Sequence, residues 1–98
     1  MKRYTFSELL QLLEQSGAAY DDGRRKMTKR AERFWDEICT TAAGHPDPVM
    51  RARLIGVIYN ADVCPVKKRA ALEKLLETES HEIPLRSLRF ALRFSLDL

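Results

Sequence analysis

Two histidines and two cysteines are the residues most suited to metal chemistry in this sequence, and their spacing argues against a metal site. His45 and His81 are 36 positions apart and fall in predicted loops. Cys39 lies six residues before His45, and Gly44 and Pro46 break the helix on either side of this histidine. No HxxxH, HExxH or CxxC motif, which would hold two ligands on one element, is present. We therefore expect neither a metal ion nor a cofactor.

Catalysis by an activated nucleophile also lacks a sequence motif. There is no GxSxG pattern, which would place a serine on a sharp strand-to-helix turn, and the four glycines are scattered singly rather than clustered in a phosphate-binding loop. Cys39 and Cys64 have apolar neighbours, so we expect both to be small buried hydrophobic residues rather than a disulfide or reactive thiols. The sequence predicts a protein that is not an enzyme.

A first basic cluster lies between positions 24 and 33. Arg25, Lys29 and Arg33 are spaced by four residues, so one continuous helix would place them on the same face, flanked by Lys26 and Arg30. Such a row could hold the phosphates of a nucleic acid. The favoured alternative is a solvated helix face whose charge is balanced by nearby aspartates and glutamates.

A second basic cluster is the stripe of Arg86, Arg89 and Arg93. A guanidinium can bind phosphate or carboxylate with two hydrogen bonds, so the stripe suits an acidic partner. One alternative is a helix-turn-helix with this stripe on the DNA-reading helix. The turn at 77–82 is acidic and long for that motif, which favours contact with protein. The residues predicted to bind nucleic acid under the alternative are Arg25, Lys29, Arg33, Arg86, Arg89 and Arg93.

The C-terminal segment carries more apolar residues than one small bundle can cover. Phe90 and Phe94 lie on a different side of the predicted last helix from Leu92, and the chain ends with Leu96 and Leu98. Uncovered apolar patches usually mark partner surfaces, and a symmetric dimer is a simple way to bury one. The residues predicted to contact a partner are Arg86, Arg89, Phe90, Leu92, Arg93 and Phe94.

The segment 48–61 is apolar almost all the way round a helix, with only a thin polar stripe at Arg53, Gly56 and Asn60. A helix without a broad polar face needs neighbours on several sides, so we expect it at the centre of a bundle. Asp47 is a suitable N-cap and Pro48 suits the first helical position. The predicted elements span 6–15, 23–43, 48–61, 65–77 and 84–98.

Two of the surrounding elements carry specific expectations. In the helix at 65–77 we expect Val66, Ala70 and Leu76 to be buried together with its other leucines. The last segment alternates apolar and polar residues as a strand would, but it also forms a single polar stripe at helical spacing. A proline at its start and the absence of a second strand favour a helix.

Composition sets the outer limits of these expectations. The 98 residues are 45% hydrophobic and 32% charged with a net charge of +3, which excludes a disordered chain and gives no apolar run long enough to span a bilayer. The N-terminal segment is amphipathic rather than a signal peptide, which favours the cytoplasm.

We expect an all-α fold in a single domain, 1–98, with four or five helices around the buried helix at 48–61. The expected function is a protein-interaction or regulatory module that forms a homodimer; the alternative is a nucleic-acid-binding protein.

Overall fold

The computed structural model describes residues 3–95, and helices make up all the regular secondary structure of these residues. The all-α prediction is confirmed, but these residues form six helices rather than four or five. Leu96 and Leu98, predicted to extend the apolar surface, lie outside the described residues. The helices are α1 (Phe6–Leu13), α2 (Gly17–Lys29), α3 (Trp35–Gly44), α4 (Pro48–Asn60), α5 (Pro65–Thr78) and α6 (Glu82–Ser95).

Local capping signals define where several helices begin. The backbone N–H of Glu8 donates to Thr5 Oγ1 at 3.1 Å and the N–H of Thr5 donates to Glu8 Oε1 at 3.0 Å, which is a complete capping box. Asp47 Oδ1 accepts from the N–H of Val49 at 2.9 Å, and Pro48 occupies the first turn of α4. These starts are as predicted, because each depends only on residues within one helical turn.

The long helix predicted at 23–43 is wrong: two helices and a turn at 30–34 replace it. At the turn, the N–H groups of Arg30 and Ala31 bond to carbonyls three residues back instead of four, at 3.1 and 3.3 Å. The bend sets the Phe34 ring against Phe6 of α1, with 6.0 Å between ring centroids, and Trp35 then starts α3. Both aromatic residues are buried, so tertiary packing outweighs the helical periodicity of the sequence.

The predicted link at 18–23 is also wrong, because it forms the first turns of α2. Gly23 is not a break: a Cβ there would lie 2.6 Å from Leu12 Cβ, so the missing side chain lets α2 lie directly against α1. The glycine in the left-handed region is Gly17, the first residue of α2, with a φ of +64°.

The helix α4 contributes Met50, Leu54, Ile55, Val57 and Ile58 to the core, and it packs against α2, α3, α5 and α6. These side chains are at most 3% exposed. No helix among the described residues is both long enough and apolar enough to cross a membrane.

The helix α5 buries fewer residues than predicted. Val66 is 77% exposed, Leu76 is 40% exposed and Ala70 is exposed, so the core takes only Leu72 and Leu75 from this helix. Cys64, expected to be buried, is exposed, whereas Cys39 is half-buried. The reason is tertiary: α5 turns the side that carries Leu72 and Leu75 to its neighbours and leaves a groove between itself and α3.

Candidate interaction surface

The C-terminal helix has an apolar side that the other described helices leave about half exposed. Leu88 and Ala91 lie on its buried side. Ile83, Phe90 and Phe94 follow one another at intervals of seven and four residues, so they form a straight line along α6, which we call the apolar row. They are 43%, 54% and 45% exposed. The helical prediction for this segment is confirmed as far as Ser95, and with it the outward position of both phenylalanines.

The apolar row continues onto α4 through ring contacts. The Phe90 and Phe94 rings have centroids 4.6 Å apart, and Tyr59 of α4 meets Phe90 edge-on at 5.6 Å. Despite these contacts, Phe90 and Phe94 remain 54% and 45% exposed. Large aromatic surfaces held in place in this way are common in the centres of protein contacts.

A groove of about 430 Å³ runs beside the apolar row, between α4 and α6. Gly56 and Ser87 line it together with Asn60 and Phe90. A Cβ built on Gly56 would meet no atom within 4 Å, so the groove is open at this position of α4. A knob-like side chain from another molecule can therefore enter here.

The predicted arginines flank the apolar row, and a glutamate that the sequence analysis missed holds two of them. Glu82 Oε1 accepts from Arg86 Nε at 3.3 Å and from Arg89 Nη1 at 3.4 Å. Arg93 lies over the Phe94 ring, 5.6 Å from its centroid. The ion pairs are exposed and contribute at most about 1 kcal/mol each, so a partner carboxylate can replace Glu82 at low cost. Arg86 and Arg89 follow Glu82 by four and seven residues, and this spacing was the sequence signal that could have predicted the two ion pairs.

Leu92 does not join the other predicted contact residues. Its side chain is half-buried and packs against the core, on a different side of α6 from Phe90 and Phe94. The structure therefore brings together five of the six residues predicted to contact a partner, and Leu92 belongs to the fold.

The first basic cluster is split by the turn at 30–34. Arg25 and Lys29 are exposed on α2, but Arg33 lies beyond the end of this helix, with its guanidinium 4.7 Å from the centroid of the Phe34 ring. Lys26 pairs with Asp22 at 2.6 Å, a hydrogen bond that lowers the pKa of the Asp22 carboxyl. Within residues 3–95, no hydrogen bond, ion pair or ring contact links this cluster to the arginines of α6.

The arginines of α4 serve the fold rather than a ligand. Arg51 forms two hydrogen bonds with Glu79, at 2.9 and 3.1 Å, and donates a third to the carbonyl of His45 at 2.6 Å. Arg53 donates to the carbonyls of Leu13 and Gln15 at 2.7 and 2.9 Å, which satisfies acceptors at the end of α1. The bonds to Glu79, Leu13 and Gln15 connect segments far apart in the chain, so no local sequence signal marks them.

Comparisons of this chain with protein-family models, with curated proteins and with solved structures find no match. Among the described residues, no group of three or more His, Cys, Asp or Glu side chains is placed to hold a metal ion. The surface features themselves are therefore the basis for inferring what the protein binds.

Proposed function

We propose that this protein is a non-enzymatic protein-interaction module that forms a homodimer, in which the apolar row of one copy packs against the row of a second copy. The observation that supports this function best is the pair of touching rings of Phe90 and Phe94, which remain 54% and 45% exposed. Burying apolar surface of this kind is the main source of stability in protein association.

The row and the adjacent groove suit a two-fold arrangement. If two α6 helices pack antiparallel about an axis midway between Ser87 and Phe90, Phe90 of each copy faces Ser87 of the other, at the groove that Gly56 leaves open. The same axis sets Ile83 opposite Phe94, because both residue pairs are centred on the same point of the helix. Each copy then supplies both the protruding ring and the groove that receives it, as a two-fold contact requires.

Charge predicts how salt affects this dimer. Each copy carries a net charge of +3, and the arginines beside the row approach one another in the antiparallel pair. Added salt screens this repulsion while the apolar contact persists. We expect the dimer to become tighter as salt concentration rises.

Sedimentation of the protein over a wide concentration range tests the proposal. The mass should rise from one to two copies with concentration, Phe90→Ser should remain monomeric, and Gly56→Leu should weaken the dimer because it fills the groove. The matched control is Val66→Ser, which removes an apolar side chain that is 77% exposed on α5, outside the row. A monomer at every concentration, or equal weakening by Val66→Ser, would contradict the proposal.

A nucleic-acid-binding function is the second candidate, and two observations favour it. Arg25 and Lys29 are exposed, and neither forms a salt bridge within residues 3–95. The connection between α5 and α6 is only three residues long, 79–81, shorter than the predicted turn and within the range of a helix-turn-helix. However, α6 begins with Glu82, Ile83 and Pro84, where a DNA-reading helix presents hydrogen-bond donors to the bases.

Salt separates the two candidates, because its effect has opposite signs. Binding to duplex DNA releases counterions and weakens steeply as salt rises, whereas the dimer tightens. Anisotropy of a labelled duplex at low and high salt, with Arg25→Ala and Lys29→Ala variants, gives the answer. Tight binding at low salt that both substitutions weaken would favour the second candidate.

A further inference from the structure

A second groove, of about 760 Å³, lies between α3 and α5, on helices that contribute nothing to the apolar row. Trp35 and Lys67, near the starts of their helices, are in contact, and Gly44 and Thr78 line the groove where both helices end. The two helices therefore run in the same direction along its sides. The apolar lining is formed by Trp35, Cys39, Ala43, Ala70, Ala71 and Leu75.

The groove is open because its lining residues are small. Alanines occupy positions 43, 70 and 71, and a Cβ built on Gly44 would meet no atom within 4 Å. Ala70 was predicted to be buried and is instead exposed at this groove. Small side chains on both walls allow the backbone of another helix to approach closely.

The charges along the groove are mostly positive. Lys67 and Lys74 line it seven residues apart, about 10 Å along α5, and neither forms a salt bridge within residues 3–95. Lys67 lies over the Trp35 ring, 5.4 Å from its centroid. Asp36 is the one acidic residue in the lining. An occupant with apolar residues on one face and carboxylates beside them complements this pattern.

We propose that the groove between α3 and α5 binds an amphipathic helix of a partner protein, with apolar side chains between the two helices and two acidic residues paired with Lys67 and Lys74. The lining of α5 extends from Lys67 to Thr78, about 16 Å, which matches three turns of a bound helix. Docking of an amphipathic helix into an apolar groove is a common mode of peptide recognition.

The separation of the two lysines favours a helix over a single small acid. A fatty acid has one carboxylate and can satisfy one lysine, whereas a helix with acidic residues two turns apart reaches both. No residue lines both this groove and the one beside the apolar row, so a dimer could bind one helix per copy.

The single tryptophan of the chain lines the groove, so its fluorescence reports on occupancy. The probe is a synthetic helical peptide of two heptads, with leucine at the core positions a and d and glutamate at the flanking positions e and g of each heptad. The control peptide has lysine in place of each glutamate. We expect the glutamate peptide to shift Trp35 emission and bind at least tenfold more tightly than the lysine peptide.

A cysteine in the groove provides a second, independent measurement. In Cys64→Ser, Cys39 is the remaining thiol, and burial raises its pKa, so it reacts slowly with alkylating reagents. The bound glutamate peptide should slow this reaction further. Unchanged alkylation with a bound peptide would place the peptide elsewhere on the protein and overturn the proposal.

Charge reversal and groove filling complete the test. The double variant Lys67→Glu/Lys74→Glu should weaken binding of the glutamate peptide about tenfold or more, whereas Arg25→Glu/Lys29→Glu, with the same change in net charge, should have little effect. Ala70→Leu, at an exposed position, should fold normally by circular dichroism and lose binding. Equal weakening by both double variants, or displacement of the peptide by laurate with the same shift in emission, would overturn the proposal.

Discussion

Arg51 and Glu79 form the least exposed ion pair among the described residues, with side chains 16% and 7% exposed. Burial alone would raise the pKa of Glu79, but hydrogen bonds from Arg51 and from the backbone N–H groups of His81 and Ser80 outweigh it, so the pKa is lowered. The pair joins α4 to the connection before α6. It also neutralises one of the acidic residues of the turn predicted at 77–82.

We expect Glu79→Gln to lower the free energy of unfolding by about 2 kcal/mol at neutral pH, because Arg51 loses a charged partner. Since folding lowers the pKa of Glu79, the ionised form stabilises the native state above the ordinary glutamate pKa, and this contribution is lost as pH falls through the folded pKa. The difference between the two proteins in urea unfolding should therefore shrink below about pH 4.5.

The control for this pair is Glu73→Gln, which removes the partner of Arg69 in an ion pair whose side chains are 53% and 56% exposed. Its effect on stability should stay below about 0.5 kcal/mol. If Glu79→Gln is equally mild, or its effect does not change with pH, the ion pair does not have the structural role described.

At the scale of helices, two glycines within helices have opposite surroundings, one crowded and one open. Gly23 of α2 lies against α1, where a Cβ would come within 3.0 Å of the Leu12 and Leu13 backbone. Gly56 of α4 lies beside open space. Both positions have negative φ, so backbone conformation requires glycine at neither of them. The atoms around each glycine therefore determine whether an added methyl group stabilises or destabilises the protein.

We expect Gly23→Ala to destabilise the protein by about 1–3 kcal/mol, because α1 and α2 must move apart to accept the methyl group. Gly56→Ala should stabilise the monomer by up to about 1 kcal/mol, because alanine is the better helix former and no atom of the same copy lies within 4 Å of the added Cβ. Thermal unfolding of both variants measures whether each substitution raises or lowers the stability. Equal effects of the two substitutions would contradict the close approach of α1 and α2.

At the scale of the whole molecule, α4 packs against α2, α3, α5 and α6 and reaches the end of α1 through Arg53. The two grooves lie between different pairs of helices. The described residues extend over 35 × 27 × 21 Å, so no part of the core is far from the surface. Ile55, 1% exposed, lies on the side of α4 that lines the groove next to α6. A polar substitution of Ile55 would therefore disturb the packing between α4 and α6.

We expect Ile55→Asp to abolish the cooperative thermal transition, because it buries a carboxylate without a partner. Val49→Asp, on the same helix, is the control: Val49 is 40% exposed and lies in the first turn, where a negative charge is favourable. Circular dichroism on heating distinguishes the two. A native transition in Ile55→Asp would show that α4 is not essential to the core.

The sequence by itself determined the helical class and the starts of α1, α4 and α5, because these depend on short-range interactions. Thr5 and Glu8 complete a capping box within one turn, and Asp47 with Pro48 starts α4 in the same way. The spacing of Phe90 and Phe94 was enough to separate them from the buried side of α6. Interactions between residues close in the chain leave few alternative conformations at these positions.

Tertiary structure alone decided how helices meet and which surfaces remain open. The bend at 30–34, the contact at Gly23 and the exposure of Val66 all depend on which neighbour lies alongside, and helical periodicity contains no information about neighbours. The two grooves have the same origin. Each one forms between two helices whose facing positions carry small side chains, and a gap of this kind becomes visible only when both helices are in place.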